Sequence, residues 1–225
     1  MSELNWKAAR GLAQLLICLA ILLFVPARSL DYWQAWAFLT LFSASVMAIT
    51  LYLAKYDPKL LERRTKAGPG AERRFRQNII QALAALSFAA VLIIPANDHR
   101  YGWSAMPWWM SLAGDAVVAL GLFIVFLVFK ENSFTSAIIE VDSEQKVVST
   151  GPYAIVRHPM YAGALVMIIG MPLALGSWWG LLTVIPIALV IVWRLIDEEE
   201  FLARNLAGYA EYRIQVKYRL IPHLW

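Results

Sequence analysis

The chain of 225 residues is 60% hydrophobic and only 16% charged, with a mean hydropathy of +0.57. These values exclude an ordinary water-soluble domain and indicate an integral membrane protein. The net charge of +4 reflects basic membrane-flanking loops, since no long basic tract interleaved with aromatics points to nucleic acid. A lone Cys18 excludes an internal disulfide, and His99, His158 and His223 lack metal-ligand spacing, so no metal is expected.

Apolar segments predict helices at Trp6–Pro26, Trp33–Ala54, Ile79–Ala96 and Pro107–Phe129. Each is long enough to cross a ~30 Å hydrocarbon core at about 1.5 Å per residue. Lys7 and Arg10 ahead of Gly11–Val25 could imitate a signal peptide. The second hydrophobic stretch follows at once, which favours an uncleaved first span. Segment 55–76 carries eight basic residues against three acidic ones, which places it in the cytoplasm by the positive-inside rule. Alternation of spans then puts both termini, segment 130–160 and the tail 194–225 on the same side. A bacterial inner membrane is the expected location.

Segment 130–160 lacks a membrane pattern. Ile138–Val141 and Lys146–Val148 alternate around Asp142–Gln145, which suggests a short hairpin or an extended lid. The last apolar region, Tyr161 to Trp193, has a turn signal at Gly176-Ser177-Trp178-Trp179-Gly180. Two arms of about 16 residues would be short for a full crossing, so a tight, partly re-entrant hairpin is expected. Pro172 and Pro186 are expected to bend its arms. Beyond it, Asp197 to Tyr218 reads as an amphipathic tail lying at the interface or folding back beneath the hairpin. The predicted fold is therefore all-α: a polytopic helical bundle of five to six membrane segments, a single domain over 1–225. Four transmembrane helices (1–130) precede a second region (131–225) with a C-terminal hairpin whose mouth lies on the cytosolic face.

Two polar clusters bracket that hairpin. Gly151-Pro152-Tyr153 and Arg157-His158-Pro159-Met160-Tyr161 precede it; Arg194 and Asp197-Glu198-Glu199-Glu200 follow it, with no charge from Ala162 to Trp193. Ionisable groups at a membrane boundary are costly unless something uses them. Pro159 suits a first helical position, which puts His158 at the N-cap and Tyr161 one turn inside, around a helix end that favours anions. Arg194 and Glu198 are four apart and share a helix face. A capped helix end and a solvated acidic face account for each cluster alone. Together, cationic and anionic groups at one mouth suit a zwitterionic or cationic ligand.

The order Gly-Pro-Tyr, Arg-His-Pro-x-Tyr-x-Gly, apolar hairpin, Glu-Glu-x-x-Leu and Tyr-x-x-Tyr resembles the isoprenylcysteine carboxyl methyltransferase family, a broad group that includes phospholipid methyltransferases. The resemblance covers about Asn132 to the C-terminus. It implies an S-adenosylmethionine-dependent methyltransferase acting on a lipophilic acceptor from the bilayer, foremost the carboxylate of a prenylated cysteine. It carries Arg157, His158, Pro159 and Tyr161 onto the cofactor motif of a catalytic region, 131–225, with its cofactor site at the cytosolic face; Tyr153, from its place in the preceding turn, is a candidate to close over the cofactor. Glu198 and Glu199 fall on the paired glutamates, with Glu198 and Arg194 in catalytic positions. Arg194 and Asn132 are candidates at the acceptor end. The Leu206-Ala207-Gly208-Tyr209 stretch departs from the Phe-Gly and later Tyr of eukaryotic members. A phospholipid amine or a small thiol is the alternative acceptor. A sterol-reductase-like oxidoreductase and a non-catalytic membrane scaffold are the other classes.

Overall fold

A computed structural model describes residues 3–65, 75–136, 141 and 145–225, and every regular element among them is helical. Helices α1 (Glu3–Ala27), α2 (Trp33–Tyr56), α4 (Phe75–Tyr101) and α5 (Trp108–Glu131) correspond to the four predicted spans, each extended by a turn or so. A short amphipathic α3 (Pro58–Thr65) follows α2, and α6 (Pro159–Ala174), α7 (Val184–Asn205) and α8 (Tyr209–Gln215) complete the order. The four long helices, and α7 with the 3-10 turn before it, are long and apolar enough to cross a membrane, while α6 is shorter. The chain is an integral membrane protein. The basic residues Lys66, Arg73 and Arg74 and the predicted strand Ile138–Glu140 lie outside the described residues.

The hairpin has unequal arms. At 16 residues, α6 rises about 24 Å, less than the ~30 Å core. The second arm is not short, contrary to the even division of the apolar run. The helix continues through the charged cluster to Asn205, so Arg194 to Glu200 ride on the last turns of α7. Pro172 does lie within α6. Pro186 falls in the first turn of α7, directly after the 3-10 turn Trp179–Thr183.

In a bilayer, helices gain little from hiding apolar surface from one another, so close backbone packing must hold them. Gly114 and Gly121 of α5 face Gly163 and Gly170 of α6 across such a contact. A Cβ on Gly170 would sit 2.8 Å from the backbone nitrogen of Val118, and one on Gly163 would sit 3.0 Å from the carbonyl of Gly121. The seven-residue spacing keeps each pair on one helix face. Around this seam, Phe38 and Leu39 of α2, Val91 and Leu92 of α4 and Ile187 of α7 close the core.

The ends are organised differently. At one pole, Ala8, Leu53, Leu60, Leu61 and Phe129 form a small cluster with Met160 packed against it. This gathers the start of α1, the end of α2, α3, the end of α5 and the start of α6. At the other pole, buried Asp98 of α4 accepts bonds from Ser104 N (2.7 Å), Ser104 Oγ (2.5 Å) and Ser177 Oγ (2.5 Å), which stitches the hairpin turn to α4. The tail does fold back beneath the hairpin. Gly208 at φ +83 ends the amphipathic run and starts α8, and the Tyr212 hydroxyl donates to the carbonyl of Tyr153 at 2.8 Å. The left-handed turn makes this break inexpensive for glycine.

Candidate functional site

His158 is the N-cap of α6 and Pro159 its first residue, as their order predicts. With no side-chain cap made there, the imidazole is left to other work. Backbone bonds from Arg157 N to Tyr218 O (2.9 Å) and His158 N to Arg219 O (3.0 Å) lay the C-terminal tail along the start of α6. Arg157 is nearly buried. Its Nε donates to Glu199 Oε1 at 2.7 Å, and its Nη1 donates to the carbonyls of Val216 (3.0 Å) and Lys217 (3.1 Å). His158 Nε2 meets the same carboxylate at 3.2 Å, and Arg219 Nε donates to its other oxygen at 2.9 Å. A nitrogen facing a carboxylate must carry the proton, which sets the His158 tautomer. Glu199 is thus enclosed by three cationic or potentially cationic groups and ties α6, α7 and the tail together.

Its neighbour faces the other way. Glu198 lines a cavity of about 880 Å³, open solvent included, and is the acidic side chain among the described residues around it. The Tyr161 hydroxyl donates to Glu198 Oε2 at 2.5 Å and accepts from Arg194 Nε at 3.1 Å. The cavity walls include Asn132, Tyr153, His158, Pro159, Tyr209 and Tyr212. Asn132 at the end of α5 donates to the Tyr153 hydroxyl at 3.1 Å. Burial, aided by the carboxylates of Glu198 and Glu131, pushes the Tyr153 phenol up to about 12. Burial likewise raises Tyr209 and Tyr212, helped by Glu199. These phenols stay neutral at ordinary pH and serve as hydrogen-bonding walls, not as bases.

The structure therefore brings Asn132, Tyr153, Arg157, His158, Pro159, Tyr161, Arg194 and Glu198 around one cavity. Glu199 stands apart, its carboxylate turned into the ion cage. Lys146 to Val148, part of the expected lid, do line the cavity, whereas 142–144 lie outside the described residues. Two participants carry no local motif. Arg219 reads as one basic residue in a basic tail, and Gln77 as a polar residue opening an apolar helix. A polar amide at the edge of an apolar run was the available signal for Gln77.

Residues 109–208 match the sequence model of the phospholipid methyltransferase family. The matched stretch holds both clusters and the hairpin between them. The chain is also 32% identical over 118 residues to protein-S-isoprenylcysteine O-methyltransferase B of Arabidopsis thaliana, a match covering 48% of this chain and 58% of that protein. A probable protein-S-isoprenylcysteine O-methyltransferase of Oryza sativa subsp. indica is 31% identical over 118 residues, covering 48% of this chain and 60% of the relative. The match spans less than two thirds of either relative. The family resemblance carried by the motifs and these matches agree.

Proposed function

We propose that this protein is a membrane methyltransferase using S-adenosylmethionine, with a lipophilic acceptor, foremost the carboxylate of a prenylated cysteine. The observation that carries the proposal is the cavity itself. Residues of both motif clusters line it, and all of its lining except Tyr209 and Tyr212 falls within residues 109–208, which match the phospholipid methyltransferase family. Its lining fits such a cofactor. One outward carboxylate, Glu198, suits an ammonium, a sulfonium or a ribose diol, and tyrosines suit an adenine and a cation. The Tyr209 hydroxyl is buried without a partner, a vacancy in its hydrogen bonding that a polar ligand would fill.

When bound, S-adenosylmethionine supplies an electrophilic methyl group. The chain's own residues position and exclude water. Glu198, held by Tyr161, accepts hydrogen bonds from the cofactor; Arg194 and Asn132 orient the acceptor. Arg157, His158 and Glu199 fix the start of α6 against α7 so that Tyr161 and Glu198 meet. An ionised carboxylate acceptor needs no base, so catalysis rests on alignment and desolvation. The whole chain, 1–225, acts as one unit with the cavity at the cytoplasmic face of the membrane, which the basic residues Lys55, Lys59, Arg63 and Arg64 at that pole support.

Calorimetry of the purified protein with S-adenosylmethionine or its demethylated product tests the cofactor; absence of binding would sink the proposal. A transfer screen over prenyl-cysteine, phospholipid and thiol acceptors tests the acceptor. A base-labile product identifies a methyl ester, and an alkali-stable one would move the assignment to an amine or thiol.

A further inference from the structure

Helix α4 lies outside residues 109–208, which match the family model, yet its first turn reaches the site. Gln77 is fully buried. Its Oε1 accepts from Arg194 Nη1 at 3.2 Å, and its Nε2 donates to Asp197 Oδ2. The amide orientation is dictated by its partners, since a guanidinium only donates and a carboxylate only accepts. Asp197 is fixed from a second side by Arg76 Nη1 at 3.2 Å, and the Arg76 guanidinium lies 5.9 Å from the centre of the Trp193 ring. Gln77 therefore passes a fixed position on to Arg194, whose Nε meets Tyr161, which meets Glu198.

We propose that Gln77 is a positioning residue that sets the guanidinium of Arg194 at the acceptor end of the cavity. This rests on the methyltransferase reading above. A long, flexible arginine loses conformational freedom when it engages an acceptor, and an amide that has already fixed it reduces that cost. The first half of the chain thereby contributes directly to the geometry of a site whose motifs all lie in the second half.

The polarity of the bridge supplies the test. Four full-length proteins are compared: wild type, Gln77→Ala, Gln77→Glu and the double variant Gln77→Glu/Asp197→Asn. In Gln77→Glu a carboxylate still accepts from Arg194 but confronts Asp197. Adding Asp197→Asn supplies a donor and restores the bond between residues 77 and 197 with its direction reversed, while the bond from Arg194 keeps its direction. Gln77→Ala and Gln77→Glu are expected to raise the acceptor KM about tenfold. Affinity for the demethylated cofactor, read by calorimetry, is expected to stay within about twofold of wild type, and the double variant to recover most of the KM. Thermal midpoints of the unliganded proteins should recover in the same order. An unchanged acceptor KM in Gln77→Ala, or no recovery from Gln77→Glu to the double variant, would overturn the positioning role. Should Gln77→Ala fail to fold, the Gln77→Glu pair makes the same comparison. A wild type that transfers no methyl would instead overturn the functional reading, and this role with it.

Discussion

The two ends of the α6–α7 hairpin each bury a carboxylate, and they neutralise it by different means. At the mouth, Glu199 is held by Arg157, His158 and Arg219. At the turn, Asp98 is held by a backbone N–H and two serine hydroxyls. The neutral donors at the turn join α4 to the hairpin and leave that acid nothing to present outward. The ion cage at the mouth joins three segments of distant sequence, and its neighbour Glu198 is left to face the cavity. Adjacent acids thus divide their labour, one for assembly and one for ligand. Of the roughly four acceptor sites on a carboxylate, Glu199 spends three on Arg157, His158 and Arg219, whereas Glu198 spends one on Tyr161 and keeps the rest for a ligand.

The largest effect is expected from emptying the cage. Glu199→Ala leaves Arg157 buried beside Arg219 without an anion, and breaking such a pair from one side costs about 3–5 kcal/mol. Thermal unfolding in detergent should show it, and a wild-type midpoint would remove the structural role assigned here. Next comes Glu198→Gln, which should fold normally yet lose on the order of a hundredfold in methyl transfer. Equal stability losses in the Glu198 and Glu199 variants would erase the division of labour. At the turn, Asp98→Asn should cost about 1–3 kcal/mol, since an amide offers a donor where a hydroxyl needs an acceptor. Cofactor affinity should be unchanged in that variant, and a drop there would couple the two poles.

The smallest effect concerns Tyr153, whose phenol is raised from 10.0 to about 12 in the folded protein. The unfolded chain releases this proton first, so the folded form binds more protons across that window. Stability contributed by the neutral phenol is complete below about pH 10 and falls as pH rises toward 12. Tyr153→Phe should lose that alkaline slope relative to wild type, at a cost of about 1 kcal/mol for the bond from Asn132. Parallel pH curves for the two proteins would place Tyr153 in solvent.

Much of the fold was legible because hydrocarbon imposes a strong rule: an apolar run of span length must be helical. The four early spans followed from that alone. The end of the second hairpin arm was not legible. Charge marks where a helix leaves the membrane, not where it stops, and α7 continues to Asn205 because its acids find partners above the interface. The break at Gly208 was missed for a related reason, since Phe201, Leu202, Leu206 and Tyr209 keep helical spacing across it.

By itself, then, the sequence determined the spans, the pole at which the chemistry gathers, and the residue types in the two clusters. These depend on local hydropathy and on motif order. Only the tertiary structure decided which of two adjacent glutamates faces the cavity, that Arg157 is committed to an ion cage, and that Gln77 and Arg219 belong to the network. Those choices depend on which donors arrive from helices and tails far away in sequence, and a buried carboxylate takes its role from the donors that reach it.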